Sequence, residues 1–203
     1  MSGPAARPST RGHGDNGFTL VELLVFSFFS VIVLAIAGGI LVSSLTVERQ
    51  TRGLAETSDL GQLVSRSVEE GARNASDIRA EPLTADGQLL RARVAVGTTG
   101  GSVKWECQAW YYSSVTTGFY WAKSATGLVP APFAGTNLHA SPWLFLGDGL
   151  HPDAATGTFF GSDGSNVTLR FRVSSDSVDL VLIPNTVVKR QSAVGGAGPA
   201  ACF

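Results

Sequence analysis

Between Leu23 and Leu45 the chain has no Asp, Glu, Lys, Arg or His. That is a run of 23 uncharged residues, and ~20 apolar residues in a helix cross the hydrocarbon core of a bilayer. Proline is missing over a longer interval: after Pro8 the next is Pro82, so none interrupts a helix between them. Cysteine is scarce. Cys107 and Cys202 stand alone, and with only His13, His139 and His151 to join them they make a poor metal site. Charged residues are 15% of the chain and the formal net charge is −1. The basic stripe that nucleic-acid binding needs is therefore missing, and no nucleic-acid partner is expected. No nucleophile-elbow pattern is present, so His139, His151, Asp148, Asp153 and the serines read as surface residues rather than a hydrolase triad. Asp148, Asp153, Asp163 and Asn166 lie in Gly-rich turns and offer oxygens to Ca²⁺, but their spacing matches no EF-hand. No enzyme activity, metal or cofactor is expected.

What the chain does have is a sharply defined start to its apolar run. Gly17-Phe18-Thr19-Leu20-Val21-Glu22-Leu23-Leu24-Val25 opens it, with the single charge of Glu22 near the leading end. A lone ionisable group in hydrocarbon costs roughly 2.5–3.5 kcal/mol on insertion scales. It persists only with a partner. Gly17, Phe18, Thr19, Leu20, Val21 and Glu22, followed by the apolar run, resemble the signature of type IV prepilins, shared by pilins and type II secretion pseudopilins. The resemblance covers about residues 17–45. It implies cleavage between Gly17 and Phe18 by a prepilin peptidase, N-methylation of the new Phe18 terminus, and Glu22 as the carboxylate used in assembly. Phe18 and Glu22 are four apart, so they lie on one helix face. The new amine could then neutralise Glu22 within a subunit or, as the resemblance implies, in a neighbour. Cleavage would create that amine and so switch assembly on.

Three other readings of the run compete. One is an ordinary secretory signal peptide with Ala35-Ile36-Ala37 as its cleavage site. Another is a signal anchor that is never cut. The third is a buried core helix, against which the length argues. The secretory reading leaves Glu22 unexplained, together with the helical pattern that continues beyond the run.

Residues 1–17 read as a leader, rich in Gly and Pro, with Arg7 and Arg11 favouring the cytoplasm. Arg49 and Arg52 at the far end nearly balance them, so orientation rests on the resemblance. Residues 18–81 read as one long helix: 18–47 a transmembrane and polymerisation segment, 48–81 amphipathic. Gly38-Gly39 is a weak point for helix propensity, or else a site of close packing through small residues. Gly53, Gly61 and Gly71 weaken the helix further along. Leu60, Leu63, Val64, Val68, Ala72 and Ala75 form an apolar stripe at helical spacing. Glu48/Arg52, Arg52/Glu56, Glu69/Arg73 and Arg73/Asp77 are opposite-charge pairs four apart.

Residues 82–203 read as a β-rich head with a flexible tail. Alternation predicts strands over 89–96, 103–112, 119–122, 143–146 and 167–173, with 178–183 returning from the last as a hairpin. Between Ser124 and Ser141 the chain is long and irregular, and residues 192–201 are too rich in Gly and Ala to order alone. One face of an antiparallel sheet needs cover, and the helix stripe can supply it. The expected fold is α+β, a long N-terminal helix packed on a C-terminal antiparallel sheet, and the pilin resemblance implies the same. Cys107 reads as inward on its strand. A bridge to Cys202 would close a loop of about 95 residues, worth about 4–5 kcal/mol in the chain-entropy model. It would need an oxidising compartment; the alternative is two free thiols. Asn74-Ala75-Ser76 and Asn166-Val167-Thr168 match the glycosylation pattern, as chance readily allows.

Removal of 17 residues from 203 would leave 186, a length that fits a minor pilin or minor pseudopilin. Its expected partners are other pilin subunits, the prepilin peptidase, the membrane assembly machinery and the lipid bilayer. Its expected place is the inner membrane, leader inside and head outside, and then an envelope or cell-surface filament. The alternative is a single-pass anchored binding domain that does not polymerise.

Overall fold

The computed structural model describes residues 19–82, 84–132, 136–140, 142–175, 178–189, 196–199 and 201–203. The leader expected at 1–17 lies outside them, as does Phe18. The chain divides into two compact units, Met1–Val47 and Glu48–Phe203. One helix, α1 (Leu20–Arg73), contributes to both.

In the second unit the buried side of α1 is built from small residues. Gly53, Thr57, Gly61, Val64, Val68, Gly71 and Ala72 follow steps of three and four. Leu63, expected in this stripe, is 47% exposed, and Leu60 is only partly buried. Close approach of helix and strands is the reason. A Cβ on Gly71 would run into the indole of Trp110, and one on Gly61 into the Ile183 side chain. The Trp110 Nε1–H donates to Ser67 Oγ at 2.9 Å, fixing the ring beside the helix. Glycines that weaken the helix by propensity are thus its points of contact.

The helix ends at Arg73, not at Glu81 as its pattern predicts. Asn74 closes the last turn, its backbone N and its Nδ2 both donating to the Glu70 carbonyl. Strand β1 (Ala75–Ala80) follows at once and pairs antiparallel with β2 (Gly87–Thr99), with a bulge between Ala75 and Asp77. Ala75, Ser76 and Ile78 are buried by that pairing. The Glu69–Arg73 and Glu48–Arg52 helix pairs form. The helical Arg73/Asp77 spacing does not arise, because Asp77 is on a strand.

Two sheets make the rest. The first has strand order β1-β2-β3-β4-β5, where β3 is Ser102–Ser113, β4 is Phe119–Ser124 and β5 is Trp143–Gly147. All four of these pairings are antiparallel. The β2–β3 turn uses Gly100 and Gly101 with φ of 59° and 80°, the left-handed pair that a tight hairpin requires. The second sheet has β8 (Asn166–Ser175) between β9 (Val178–Val188) on one side and β6 (Leu150–Pro152) and β7 (Phe160–Ser162) on the other. The predicted hairpin is β8–β9; Asp176 and Ser177 of its turn lie outside the described residues. A short strand, β10 (Gly196–Ala197), pairs parallel with Val103 and Lys104 of β3. Part of the Gly/Ala-rich tail is therefore ordered, by pairing rather than by itself. The architecture is the expected α+β one.

The main core lies where α1 and both sheets meet. Val64, Val68 and Ala72 of the helix join Leu90, Trp110 and Phe171 there. Phe159 stacks on Tyr112 at 4.7 Å and on Phe171 at 4.8 Å, bridging the sheets. Buried Gln88 ties them further. Its Oε1 accepts from the Phe159 and Phe160 N–H groups, and its Nε2 donates to the Phe160 and Glu81 carbonyls, all at 2.9 Å.

Candidate functional site: the N-terminal helix and its first turn

The described part of the first unit is Thr19 and the α1 residues from Leu20 to Val47. Every described side chain from Thr19 to Val47 is exposed. The large apolar ones among them run from 39% exposed at Ile32 to 82% at Leu20. None of its most apolar window is buried, and the helix is long and apolar enough to cross a membrane. Burying apolar area is worth roughly 25 cal/mol per Å², so such a surface has a strong drive into lipid or onto other apolar helices.

Two hydroxyls in this segment bond to the backbone of their own helix. Ser27 Oγ donates to the Leu24 carbonyl at 2.9 Å and Thr46 Oγ1 to the Val42 carbonyl at 3.0 Å, each within the helix. Such internal bonds reduce the cost of a hydroxyl in hydrocarbon. A Cβ at Gly38 or Gly39 would meet nothing within 4 Å. The close packing one reading assigned to this pair finds no partner within the described chain.

The helix begins with a cap. Thr19 is the N-cap residue: its Oγ1 accepts from the Glu22 N–H at 3.3 Å and its carbonyl from the Leu23 N–H at 3.1 Å. Thr19-x-x-Glu22 is the sequence pattern of a capping box. Sequence reasoning passed over that signal. Glu22 lies in the first turn, exposed, where the helix dipole favours a carboxylate. Among the described residues the helix starts at Leu20. Gly17 and Phe18, the expected cleavage and methylation residues, lie outside the described residues.

The other expected site is formed. Cys107 and Cys202 are disulfide-bonded with a Cα–Cα distance of 5.4 Å, and both are buried. The residues considered for catalysis are scattered over other contacts. The His139 ring packs against Tyr120 and Phe145, with centroids at 5.8 and 5.3 Å. His151 Nε2 is 3.4 Å from Ser174 Oγ. Asp153 binds Arg170 at 2.8 Å. The Ala155 N–H, and then the Arg170 guanidinium, hold the Asp153 carboxyl below its usual range. Asp163 is likewise held low, first by the Asn166 side chain and then by the Asn166 and Ser165 backbone N–H groups. Among the described residues no three His, Cys, Asp or Glu side chains gather as a metal site.

Compared with known proteins, the chain matches no family model, and no curated protein or solved structure matches it.

Proposed function

We propose that the chain is a prepilin-like subunit that acts by assembly. It is cut between Gly17 and Phe18, held in the inner membrane by residues 18–47, and polymerised through that helix into a pilus or a secretion-type filament. The head from Glu48 onward is its exposed surface. The carrying observation is the bare apolar helix that begins one residue after Phe18-Thr19 and bears Glu22 in its first turn. In a plain anchor the cap and the helix dipole are the only use for a carboxylate there. An assembling helix has a further one, because cleavage supplies an ammonium group beside it.

The cap sharpens this reading. An ammonium at Phe18 stands before the positive end of its own helix dipole, which disfavours a cation. Its better partner is the Glu22 carboxylate of a neighbouring subunit, and a pair of that kind sets axial register between helices. Length and the large two-sheet head favour a minor subunit.

The test is Glu22→Ala in cells that assemble the filament. The variant is expected to stay in the membrane fraction, with its head folded, and to disappear from sheared filaments. Undiminished incorporation sinks the assembly role. A wild-type chain found only as an unpolymerised membrane protein favours the anchored binding domain instead.

A further inference from the structure

The first sheet has a second buried face, opposite the helix. Cys107, Ala109, Tyr111, Tyr120, Ala122 and Trp143 line it. No helix or strand covers it among the described residues. Its cover is irregular chain: Val129 and Leu138 from between β4 and β5, and Cys202 from the C-terminus. Two neighbouring arginines of β2 hold the backbone of this cover. Arg91 pairs with Glu81 and donates from Nε to the Val129 carbonyl at 3.2 Å. Arg93 donates from Nε to the Pro199 carbonyl at 2.7 Å and lies 4.2 Å over the Trp105 ring.

The C-terminal part of the cover is held by the disulfide and by the burial of Pro199 and Cys202. It has the two-residue ladder of β10, the Arg93 bond to Pro199, and Gly198, whose backbone packs against Trp105 in a left-handed conformation with φ 120°. Trp105 Nε1 beneath it is buried without a hydrogen-bond partner among the described residues, a group that water would satisfy if the cover lifted. The main core contains no residue of this segment.

We infer that Gly196–Pro199 and Ala201–Phe203 form a redox-controlled strap over the second face of the first sheet. It is closed by oxidation of Cys107 and Cys202 once the head has folded, and opened by reduction without loss of the main core. Closure is two thiol–disulfide exchanges with a small-molecule or protein disulfide. One cysteine thiolate attacks that disulfide and expels a thiolate; the second cysteine then attacks the mixed disulfide and expels the other. Two thiols become one disulfide, and the donor leaves as a dithiol or two monothiols. A reducing compartment keeps the strap open and an oxidising one closes it. If the head is exported as proposed above, the closed strap marks chains that have crossed. The switch itself does not depend on that reading.

The experiment uses the full oxidised chain in detergent micelles, treated with a phosphine reductant. Three readouts are taken: iodoacetamide trapping of Cys107 without denaturant, tryptophan emission, and amide exchange. Reduction is expected to make Cys107 fully alkylatable and to shift emission to the red as Trp105 and Trp143 meet water. Exchange protection of the β3 amide that faces β10 at Val103–Lys104 should fall at least about tenfold while that of Val64, Val68 and β8 stays within about twofold. Cys202→Ser should reproduce the reduced pattern. If that variant does not accumulate, reduction of the folded oxidised chain still decides. Simultaneous loss of protection in both regions overturns the inference, because the strap would then be part of the fold. So does a reduced chain whose Cys107 stays unreactive.

Discussion

The two parts of α1 on either side of Val47 use opposite kinds of residue for opposite ends. From Leu20 to Val47 the helix carries Phe, Leu, Ile and Val on all sides, and all of them are exposed. From Glu48 to Arg73 its buried positions are mostly Gly, Thr, Ala and Val, and its Leu54 and Leu63 face outward. The bulky surface is left open among the described residues. The small one is already filled, by strands that come close enough to touch a glycine. Hydrophobicity alone would have ranked these halves the wrong way round for burial within the chain.

A charge should break the comparison most visibly. Val68→Asp places an unpaired carboxylate at a fully buried position. Burying it costs several kcal/mol against a typical total stability of about 5–15 kcal/mol, so the head should lose its cooperative unfolding transition. Val33→Asp, at a residue 62% exposed, should leave that transition where it was. It should instead weaken membrane retention, by roughly 2.5–3.5 kcal/mol at the centre of a span. Circular dichroism in denaturant and carbonate extraction of membranes read the two effects separately. Equal head stability in the two variants would contradict the division.

Glycine substitutions sharpen the contrast at lower cost. Gly71→Ala drives a methyl into the Trp110 ring, and overpacking of this kind costs about 1–3 kcal/mol. Gly38→Ala meets open space and should stabilise the helix by up to about 1 kcal/mol. Urea midpoints of the head and far-ultraviolet helicity in micelles check the opposite signs.

The smallest effects concern pH and belong to the head. Asp153 and Asp163 are held below the ordinary value of 3.8. Their contribution is complete above that value and is lost as the pH falls through the lower folded values. Burial, then the charge of Asp86, raises Tyr111 above the ordinary 10.0, and burial alone raises Tyr112. For these acids the folded state protects the neutral phenol. Stability is complete below pH 10 and declines as the pH rises further. Melting temperature should therefore be flat near neutrality and fall at both extremes. A melting temperature still rising as pH drops below 3.8 would contradict the carboxylate bonds.

Much of this plan was legible in the residues because it is written in local pattern. The apolar run, the alternation of β2, β3 and β8, the β8–β9 hairpin and the inward Cys107 all follow from periods of 3.6 or 2. What escaped was set by distant contacts. Ala75–Ala80 contains good helix formers, and only its pairing with β2 makes it a strand. Arg91 and Arg93 alternate as solvent-facing residues do, yet they clamp chain from positions 129 and 199 over the sheet. The Gly100-Gly101 turn and the Thr19-x-x-Glu22 cap were short local signals that could have been read. At the candidate site the residues of the proposed motif were apparent at once, since they are contiguous in the sequence, but the helix start at Leu20 depends on the cap.

In the proposed function, proteolysis between Gly17 and Phe18 makes the cation that partners Glu22. Intact mass and N-terminal sequence of the chain extracted from native membranes test it most directly. The account predicts a polypeptide beginning at Phe18, lacking residues 1–17 and heavier by one methyl group. A chain that retains the leader, or one that begins after Ala37, would contradict it.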